Sequence, residues 1–482
     1  MAGLGRTALV VSVSRIFNYG LMIVSPIILV RYLSVAEFGR YREFLVYASL
    51  LQSFAAFSLN DSLLYFVPRY SESKWRVVRQ TALLGALFSV VVALLVVAAD
   101  IASHGSLVGS FRYPLVCYLL TFGNVDFWES LWLSEHRPIP VLAYTAGRLL
   151  ARMLVVVGVT VLTADVNTII WSLVALELSR LAIAAFLWRR ADRSSEESRI
   201  PRLWHEQLRF CIPAGVAVLL AMANRNLGNL VVTKMLGVVF LAYFTIGTYG
   251  EPIVYALRNS ISTVLLPELV KRSTAGPRGV VALWQRATVM NCILLFPAAI
   301  LLVRYADIAV VTVFGQSYVP AIPVLQWYAV IMLRECFDFS PLLRAFNYTK
   351  PLVHSNLLAL AMNAIGLFLF VPKLGLLGAI LAWILGVTVD AVFLSLSAAW
   401  YTGVSLPDLM PWSSILRVGA AAVLAAVVVI SDVWTSQAKF LGAIAAGAIY
   451  GIVYVLLMYF MRVQELMALI KRLTWPLKVR RV

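Results

Sequence analysis

Arginine side chains recur inside the apolar stretches of this sequence, with the spacing of one helix face. Thr145, Arg148 and Arg152 lie three and four residues apart, so they fall on the same side of a helix. A guanidinium group stays charged at any physiological pH and binds phosphate oxygens in pairs. The chemistry that this pattern indicates is the binding of a phosphate or diphosphate group.

Similar polar faces occur at three other places in the sequence: they contain Ser12, Arg15 and Tyr19, then Arg225 and Asn229, then Thr248, Glu251, Tyr255, Arg258 and Ser262. A charge at the centre of a membrane-spanning helix costs about 2.5–3.5 kcal/mol, so these groups need partners or a water-filled cavity. The predicted substrate-binding residues are Arg15, Arg148, Arg152, Arg225 and Arg258. The residues predicted to act in gating or ion coupling are Asp61, Glu251, Asp126 and Glu129.

A structural interpretation of the same charges stays open at this point. Arginines near a helix end, such as Arg180 and Arg334, often reach the lipid headgroups and have no further role. Glu177 with Arg180, or Glu251 with Arg258, would form ion pairs that hold helices together. The acids in the apolar stretches are about as numerous as the arginines, so the sequence alone does not establish an anionic substrate.

The elements that carry these residues are predicted to be membrane-spanning helices. The chain has 482 residues, of which 61% are hydrophobic and 13% charged, whereas a soluble domain has about 25% charged residues. Apolar runs of about 20 residues, the length of a membrane span, recur along the chain. They are too long for the strands of a β-barrel. The predicted spans are approximately 8–30, 43–66, 80–100, 113–133, 141–163, 168–188, 210–233, 241–265, 284–304, 319–338, 352–371, 374–398, 412–432 and 438–461.

The fold class is therefore all-α and integral to the membrane, with about fourteen transmembrane helices. The net charge is +17, and about twenty Lys and Arg residues lie in alternate loops and in the C-terminal tail. Basic loops stay in the cytoplasm, so both termini are predicted to be cytoplasmic. The basic residues follow this topology and form no soluble basic domain, so we do not expect nucleic acid as a partner.

Catalytic and metal sites are not expected. No loop is longer than about 20 residues, which leaves no room for a soluble catalytic domain. The chain has no phosphate-binding glycine loop, no GxSxG motif and no zinc signature, and its four cysteines lack metal-ligand spacing. We therefore predict that the protein is not an enzyme.

A weak internal repeat suggests two related halves. Residues 31–35 (RYLSV) follow the first span and residues 234–238 (KMLGV) follow the seventh, and the longest predicted cytoplasmic loop, 189–209, separates the halves. Transporters are often built from paired bundles with the substrate path between them. The predicted domains are an N-terminal six-helix lobe (1–195), a C-terminal six-helix lobe (196–400), and two extra helices with a basic tail (401–482).

Three segments of the sequence contain recognisable motifs. Residues 31–41 (RYLSVAEFGRY) contain L-x-x-x-E-F-G-x-Y. Residues 313–326 (VFGQSYVPAIPVLQ) contain F-G-x-x-Y, and residues 370–379 (FVPKLGLLGA) are close to L-I-P-x-x-G-x-x-G-A. Together the three segments resemble motifs of the polysaccharide flippases in the multidrug/oligosaccharidyl-lipid/polysaccharide (MOP) exporter superfamily. In the third segment we expect Pro372 to end one helix, and Gly375 and Gly378 to let the next helix pack closely.

The resemblance implies a flippase of the bacterial inner membrane that moves an undecaprenyl-diphosphate-linked oligosaccharide for O-antigen or exopolysaccharide synthesis. It also implies two six-helix lobes in a V around a hydrophilic cavity, with the polyprenyl tail in the lipid bilayer. H⁺ or Na⁺ would be the coupling ion, with no other cofactor, and a polysaccharide polymerase or other assembly protein would be a partner. Since the two extra spans also occur in lipid II flippases, a lipid II flippase is one alternative; a multidrug/cation antiporter of the same fold is another.

Overall fold

The protein is built from helices. A computed structural model describes residues 24–122, 126–135, 137–190, 203–273, 276–429, 439–463 and 465–467, and these contain no strand. Their contacts divide the chain into two compact units, Met1–Ala242 and Tyr243–Val482. The predicted domain limits at residues 195 and 400 come from counting the predicted spans, whereas the two units are defined by contacts. The predicted limits therefore stay a prediction.

The first unit contains residues 24–32, which are helical, followed by eight helices and the start of a ninth. The helices are α1 (Val35–Ala56), α2 (Leu59–Arg69), α3 (Lys74–Ala102), α4 (Arg112–Phe122), α5 (Phe127–Ser134), α6 (Pro138–Thr163), α7 (Val166–Arg190), α8 (Leu203–Leu236) and α9 (Val238–Gly247). The last of these crosses into the second unit.

The second unit continues with ten described helices. They are α10 (Glu251–Ser273), α11 (Pro277–Arg304), α12 (Ala306–Val313), α13 (Ile322–Glu335), α14 (Ser340–Ala345), α15 (Lys350–Leu374), α16 (Leu376–Thr402), α17 (Leu406–Leu409), α18 (Trp412–Val429) and α19 (Lys439–Phe460). Its core contains Trp284, whose ring stacks on Phe339 with centroids 4.9 Å apart and whose indole N–H donates to the carbonyl of Asp338 at 2.7 Å.

Eight of the described helices are long and apolar enough to cross a membrane, and α9 and α18 are shorter apolar helices. Many of their side chains point outward although they are apolar: Leu162 is 84% exposed, Phe368 76% and Val427 74%. Such a surface is stable only when lipid surrounds it. The chain is a multi-pass membrane protein, and the count of fourteen spans stays a prediction.

The helix boundaries differ from the predicted spans where a span is broken. The span predicted at 43–66 consists of α1 and α2, which are separated at Phe57 and Ser58, where φ is positive (37° and 58°). In addition, α1 begins eight residues earlier than predicted, because Ser34 and Glu37 form a capping box. The Ser34 N–H donates to the Glu37 carboxylate at 2.8 Å, and the Glu37 N–H donates to the Ser34 hydroxyl at 3.3 Å.

The predicted repeat falls at equivalent points of two helices. Helix α1 begins at Val35 and α9 begins at Val238, each directly at the end of its repeat sequence. The two starts also pack together: a Cβ added at Gly39 would lie 2.1 Å from the carbonyl oxygen of Val238, so only glycine fits there. This contact gives a physical reason for the glycine in the E-F-G motif.

Hydrogen bonds join helix α8 to helices α2 and α3, which explains why the first unit extends beyond α8 to Ala242. Gln207 is fully buried, and its amide donates to the hydroxyls of Ser62 at 2.8 Å and Thr81 at 2.6 Å. Its carbonyl oxygen accepts from the Gln80 amide at 2.8 Å. All four polar side chains are thereby satisfied inside the unit, which buried amides and hydroxyls require.

The turn between α15 and α16 partly matches its predicted role. The expectation that Pro372 ends a helix is wrong, since α15 continues through Pro372 to Leu374 and stops before Gly375 (φ 57°). Gly378 does allow close packing: a Cβ there would lie 2.3 Å from the carbonyl oxygen of Phe370. The glycine conformation, rather than the proline, turns the chain.

Candidate functional site

A small cavity in the first unit brings three arginines together. Its volume is about 270 Å³, and α1, α4, α6 and α8 form its walls. Arg42 comes from α1, Arg152 from α6 and Arg225 from α8. Other polar side chains that line it are Ser49, Gln52, Tyr118 and Asn226.

Helical spacing aims the side chains of α1 into this cavity. Arg42, Leu45, Ser49 and Gln52 are separated by three, four and three residues and all line it. Across the cavity, the Ser49 hydroxyl lies 3.5 Å from the amide oxygen of Asn226, which is the outer limit of a hydrogen bond. The wall of α1 therefore presents one cation, one hydroxyl and one amide to the same space.

Arg152 lies in this cavity beside tyrosines, and the charge of Glu177 acts on it from a distance too long for an ion pair. The side chains of Tyr41 and Tyr118 lie beside its guanidinium group. Within the described part of the chain, no carboxylate is close enough to form an ion pair with Arg152, and none is among the described residues that line the cavity. Three positive charges on one small volume favour an anionic ligand.

A second group of arginines in the same unit is neutralised by acids. Asp126 accepts from Arg148 at 2.7 Å and from Arg180 at 2.6 Å. Arg180 also pairs with Glu177, and the side chains of both are almost fully buried, at 7% and 2% exposed. Glu129 lies 3.6 Å from Arg148. Because three carboxylates surround two guanidinium groups, this cluster carries no excess positive charge. Its geometry is that of a structural network.

The second unit contains a comparable network. Arg258 on α10 pairs with Glu335 and lies 3.9 Å from Asp338. Arg334 pairs with Asp390 on α16, and its Nε donates to the carbonyl of Val387 at 3.1 Å. These contacts link α10, α13 and α16, so the charged side chains connect helices within the unit.

The predicted substrate-binding residues separate into different environments. Arg152 and Arg225 share the cavity, Arg148 lies in the acid-rich cluster, and Arg258 lies in the network of the second unit. Arg15 lies outside the described residues. None of these placements measures substrate binding, so the five assignments stay predictions.

Arg42 is a cavity residue that the sequence prediction missed. It was assigned to the loop 31–42 because hydropathy alone placed the start of the span at residue 43. The capping box at Ser34 and Glu37 was the signal that could have found it, since it places Arg42 two turns inside a helix. Gln52 was also missed, although it lies inside the predicted span 43–66.

The residues predicted to act in gating or coupling also lie in several places. Asp61 accepts from the Ser58 hydroxyl at 2.8 Å, at the break between α1 and α2. Glu251 is the first residue of α10, and Asp126 and Glu129 belong to the acid-rich cluster. Their proposed roles are untested by this geometry and stay predictions.

Comparison with protein families gives one match within the chain. Residues 143–323 match a family described as polysaccharide biosynthesis protein. This segment runs from α6 into α13 and includes Arg152 and Arg225. No curated protein sequence matches the chain.

Solved structures match over most of the chain. The lipid II flippase MurJ in an inward closed conformation is 15% identical, with a TM-score of 0.74, over 94% of this chain and 98% of that one. A MOP superfamily transporter from Pyrococcus furiosus is 12% identical, with a TM-score of 0.57, over 82% and 95%. An inward-facing multidrug resistance MATE transporter of the same superfamily is 12% identical, with a TM-score of 0.56, over 81% and 94%.

The fold predicted from the three motifs is confirmed by these structures, and the predicted link to polysaccharide synthesis is matched by the family over residues 143–323. The chain is an all-helical, multi-pass membrane protein with the fold of the MOP superfamily transporters.

Proposed function

We propose that this protein translocates a lipid-linked oligosaccharide across the membrane and that its cavity arginines bind the diphosphate linker. The observation that carries the proposal is the convergence of Arg42, Arg152 and Arg225 on one cavity whose described lining contains no carboxylate. The transporter fold and the polysaccharide biosynthesis match support it.

The chemistry of the cavity suits a sugar diphosphate. Guanidinium groups present parallel N–H donors that match phosphate oxygens and cannot lose their charge in the membrane. Gln52, Ser49 and Asn226 add neutral donors and acceptors of the kind that bind sugar hydroxyls. A volume of about 270 Å³ accommodates the linker and adjacent groups, and the polyprenyl tail stays in the bilayer.

We infer that the substrate serves polysaccharide synthesis, because residues 143–323 match a family described as polysaccharide biosynthesis protein. Within that class we propose a surface polysaccharide of the O-antigen or exopolysaccharide type. Lipid II is the second candidate, favoured by the similarity to the lipid II flippase structure. Both substrates carry the same diphosphate. A multidrug/cation antiporter is disfavoured, because cations would be repelled by three guanidinium groups.

The wider setting is part of the same proposal. The protein is placed in a bacterial inner membrane with its basic loops and termini in the cytoplasm, and it works by alternating access of two lobes. Asp61, Glu251, Asp126 and Glu129 provide the carboxylates for coupling to H⁺ or Na⁺. A polysaccharide polymerase or another assembly protein receives the product on the outer side.

The proposal is tested by reconstituting the protein in liposomes with a fluorescent polyprenyl-diphosphate oligosaccharide and measuring its movement between leaflets. We expect Arg152→Ala and Arg225→Ala to slow transport about ten- to a hundredfold, since a hydrogen bond to a charged group contributes about 1.5–3 kcal/mol. Met222→Leu is the matched control, because it alters the same cavity without changing its charge or much of its volume.

Transport by both alanine variants at the rate of the Met222→Leu control would overturn the proposal. The same assay with lipid II in place of the oligosaccharide decides between the two substrate classes. Faster movement of lipid II than of any other diphosphate-linked glycan would replace surface polysaccharide with the murein precursor as the substrate.

A further inference from the structure

A groove in the second unit lies between α11, α13 and α18. Its volume is about 960 Å³, which is larger than the arginine cavity and near the upper end of the roughly 300–1,000 Å³ that ligand pockets have. Four of the residues that line it are small: Ala299 of α11, Ala329 of α13, and Gly419 and Ala422 of α18. Their side chains are too short to fill the space between the three helices.

Helix α19 holds the wall of this groove in place. The hydroxyl of Tyr450 donates to the carbonyl of Ala422 on α18 at 3.1 Å, and the hydroxyl of Tyr454 donates to the carbonyl of Ile293 on α11 at 3.1 Å. Both tyrosines are buried, so these bonds are shielded from solvent. Because α19 is bonded to both helices, it fixes the spacing of α11 and α18, and the groove is a built feature of the unit.

Apolar side chains line the groove where it opens to the outside. Val303 of α11, Val330 of α13 and Val423 of α18 are 44%, 40% and 56% exposed. Since α11 is long and apolar enough to span a membrane, this side of the unit contacts the acyl chains of the bilayer. An empty groove would lose dispersion contacts along its walls, so an acyl chain that lies in it is stabilised.

Polar side chains lie at one end of the groove, where Arg304, Asp307 and Gln326 all line it. Arg304 is the last residue of α11, and Asp307 lies in the first turn of α12. The Gln326 amide donates to the carbonyl of Val303 at 3.2 Å, which places Gln326 at the same end. This end therefore presents a cation, an anion and an amide next to an apolar groove.

The length of α11 places this end at the level of the lipid headgroups. Its 28 residues rise about 42 Å at ~1.5 Å per residue, close to the roughly 40–45 Å thickness of a bilayer with its headgroup regions. Arg304, at the end of this helix, therefore lies at the membrane interface, whereas Phe296 and Ala299 lie deeper, among the acyl chains. The groove thus has a polar end and an apolar length, in the order in which a phospholipid has them.

We propose that this groove binds a zwitterionic phospholipid from the surrounding leaflet. An acyl chain lies along the apolar walls, the phosphate contacts Arg304, and the ammonium group contacts Asp307. A guanidinium group has five N–H donors and binds phosphate with paired hydrogen bonds, so Arg304 can bind the headgroup in addition to its other contacts, such as the ring of Tyr305 at 5.4 Å. The groove shares no lining residue with the arginine cavity, so the proposal is independent of the transported substrate.

The pair of opposite charges also sets the selectivity. A phosphatidylethanolamine headgroup brings a phosphate to Arg304 and an ammonium group to Asp307, so both charges are complemented. A phosphatidylglycerol headgroup brings the phosphate without an ammonium group, and the Asp307 carboxylate repels its net negative charge. We therefore expect the groove to prefer phosphatidylethanolamine, although both lipids offer the same acyl chains.

The test is native mass spectrometry of the purified full-length protein, titrated in detergent with phosphatidylethanolamine or phosphatidylglycerol that carry identical acyl chains. We expect one site at which phosphatidylethanolamine binds about fivefold more tightly, a difference of about 1 kcal/mol. Asp307→Asn should remove this preference, because a neutral amide does not attract the ammonium group, while both lipids still bind. Val330→Trp should fill the groove from its exposed side and remove the site for both lipids.

Each variant has a matched control in the same unit. Val392→Trp makes the same change at a half-exposed position of α16 that does not line the groove. Glu268→Gln neutralises an exposed carboxylate on α10 instead of Asp307. Both controls should keep the site and its preference, and a thermal melt of each variant establishes that it is folded.

Equal binding of the two lipids by the unaltered protein would overturn the proposal. A preference that persists in Asp307→Asn, or a site that survives in folded Val330→Trp, would overturn it too. Displacement of phosphatidylethanolamine by a polyprenyl diphosphate would assign the groove to the transported lipid. A dimer that Val330→Trp dissociates would assign it to a second copy of the chain, and either result contradicts the proposal.

Discussion

Two groups of arginines lie in the same unit, and their surroundings differ. Arg148 and Arg180 are held by Asp126, Glu129 and Glu177. By contrast, Arg152, one turn further along α6 from Arg148, lies in a cavity with tyrosines and two other arginines. Residue type is therefore a poor guide to the role of an arginine in an apolar helix, and the position of the neighbouring acids is a better one.

The comparison has a physical basis. Burying a guanidinium group costs free energy, because the group loses its hydration. A carboxylate offsets this cost well only when the two groups are hydrogen-bonded in good geometry. In the acid-rich cluster the protein supplies the carboxylates permanently. In the cavity the described lining contains three arginines and no carboxylate. We therefore assign the first group to holding helices, and the second group is the one that the proposed function uses.

The largest expected effect is on stability, at Arg180. Its replacement by alanine leaves Glu177 buried beside Asp126 without its cation, which should lower the free energy of unfolding by about 3–5 kcal/mol. Thermal unfolding in detergent measures this. Arg152→Ala, in the same unit, should change stability far less because no ion pair is broken. Equal destabilisation by the two variants would remove the distinction between the groups.

A smaller effect is expected from a soluble anion. Inorganic diphosphate that binds the cavity should stabilise the folded protein by about 2.7 kcal/mol at a hundredfold excess over its Kd. The stabilisation should disappear in Arg152→Ala and persist in Asp126→Asn, which alters the acid-rich cluster instead. Thermal unfolding over a diphosphate titration, with sulfate as a control for ionic strength, measures it. A shift that persists in Arg152→Ala would place the anion elsewhere.

The sequence predicted the fold class well, because membrane spans are encoded in the length and composition of apolar runs. Helix breaks were harder to predict, since Phe57 and Ser58 adopt positive φ within a run that hydropathy treats as continuous. The prediction that Pro372 ends a helix was wrong for a related reason. A proline near the end of an apolar helix is tolerated where the surrounding structure provides hydrogen-bond partners for the freed backbone groups.

The candidate site could be predicted only in part. Helical spacing placed Arg148 and Arg152 on the same side of α6, one turn apart. Their environments nevertheless differ, because Arg148 pairs with an acid and Arg152 lines the cavity. The acids that distinguish them come from α5 and α7, so no pattern within α6 contains that information. Pairing between helices depends on tertiary packing, and the sequence left both interpretations open.

The smallest expected effect concerns Arg42, the cavity arginine that hydropathy excluded. Arg42→Lys keeps the positive charge but replaces the planar pair of donors by a single ammonium, so it tests whether the cavity needs charge alone. We expect transport of the diphosphate-linked oligosaccharide to fall a few-fold, by about 1 kcal/mol, and to fall further in Arg42→Gln, where the charge is lost. The liposome assay measures both variants. If Arg42→Gln transports as well as Arg42→Lys, Arg42 lines the cavity without binding the anion, and the cationic group there is reduced to Arg152 and Arg225.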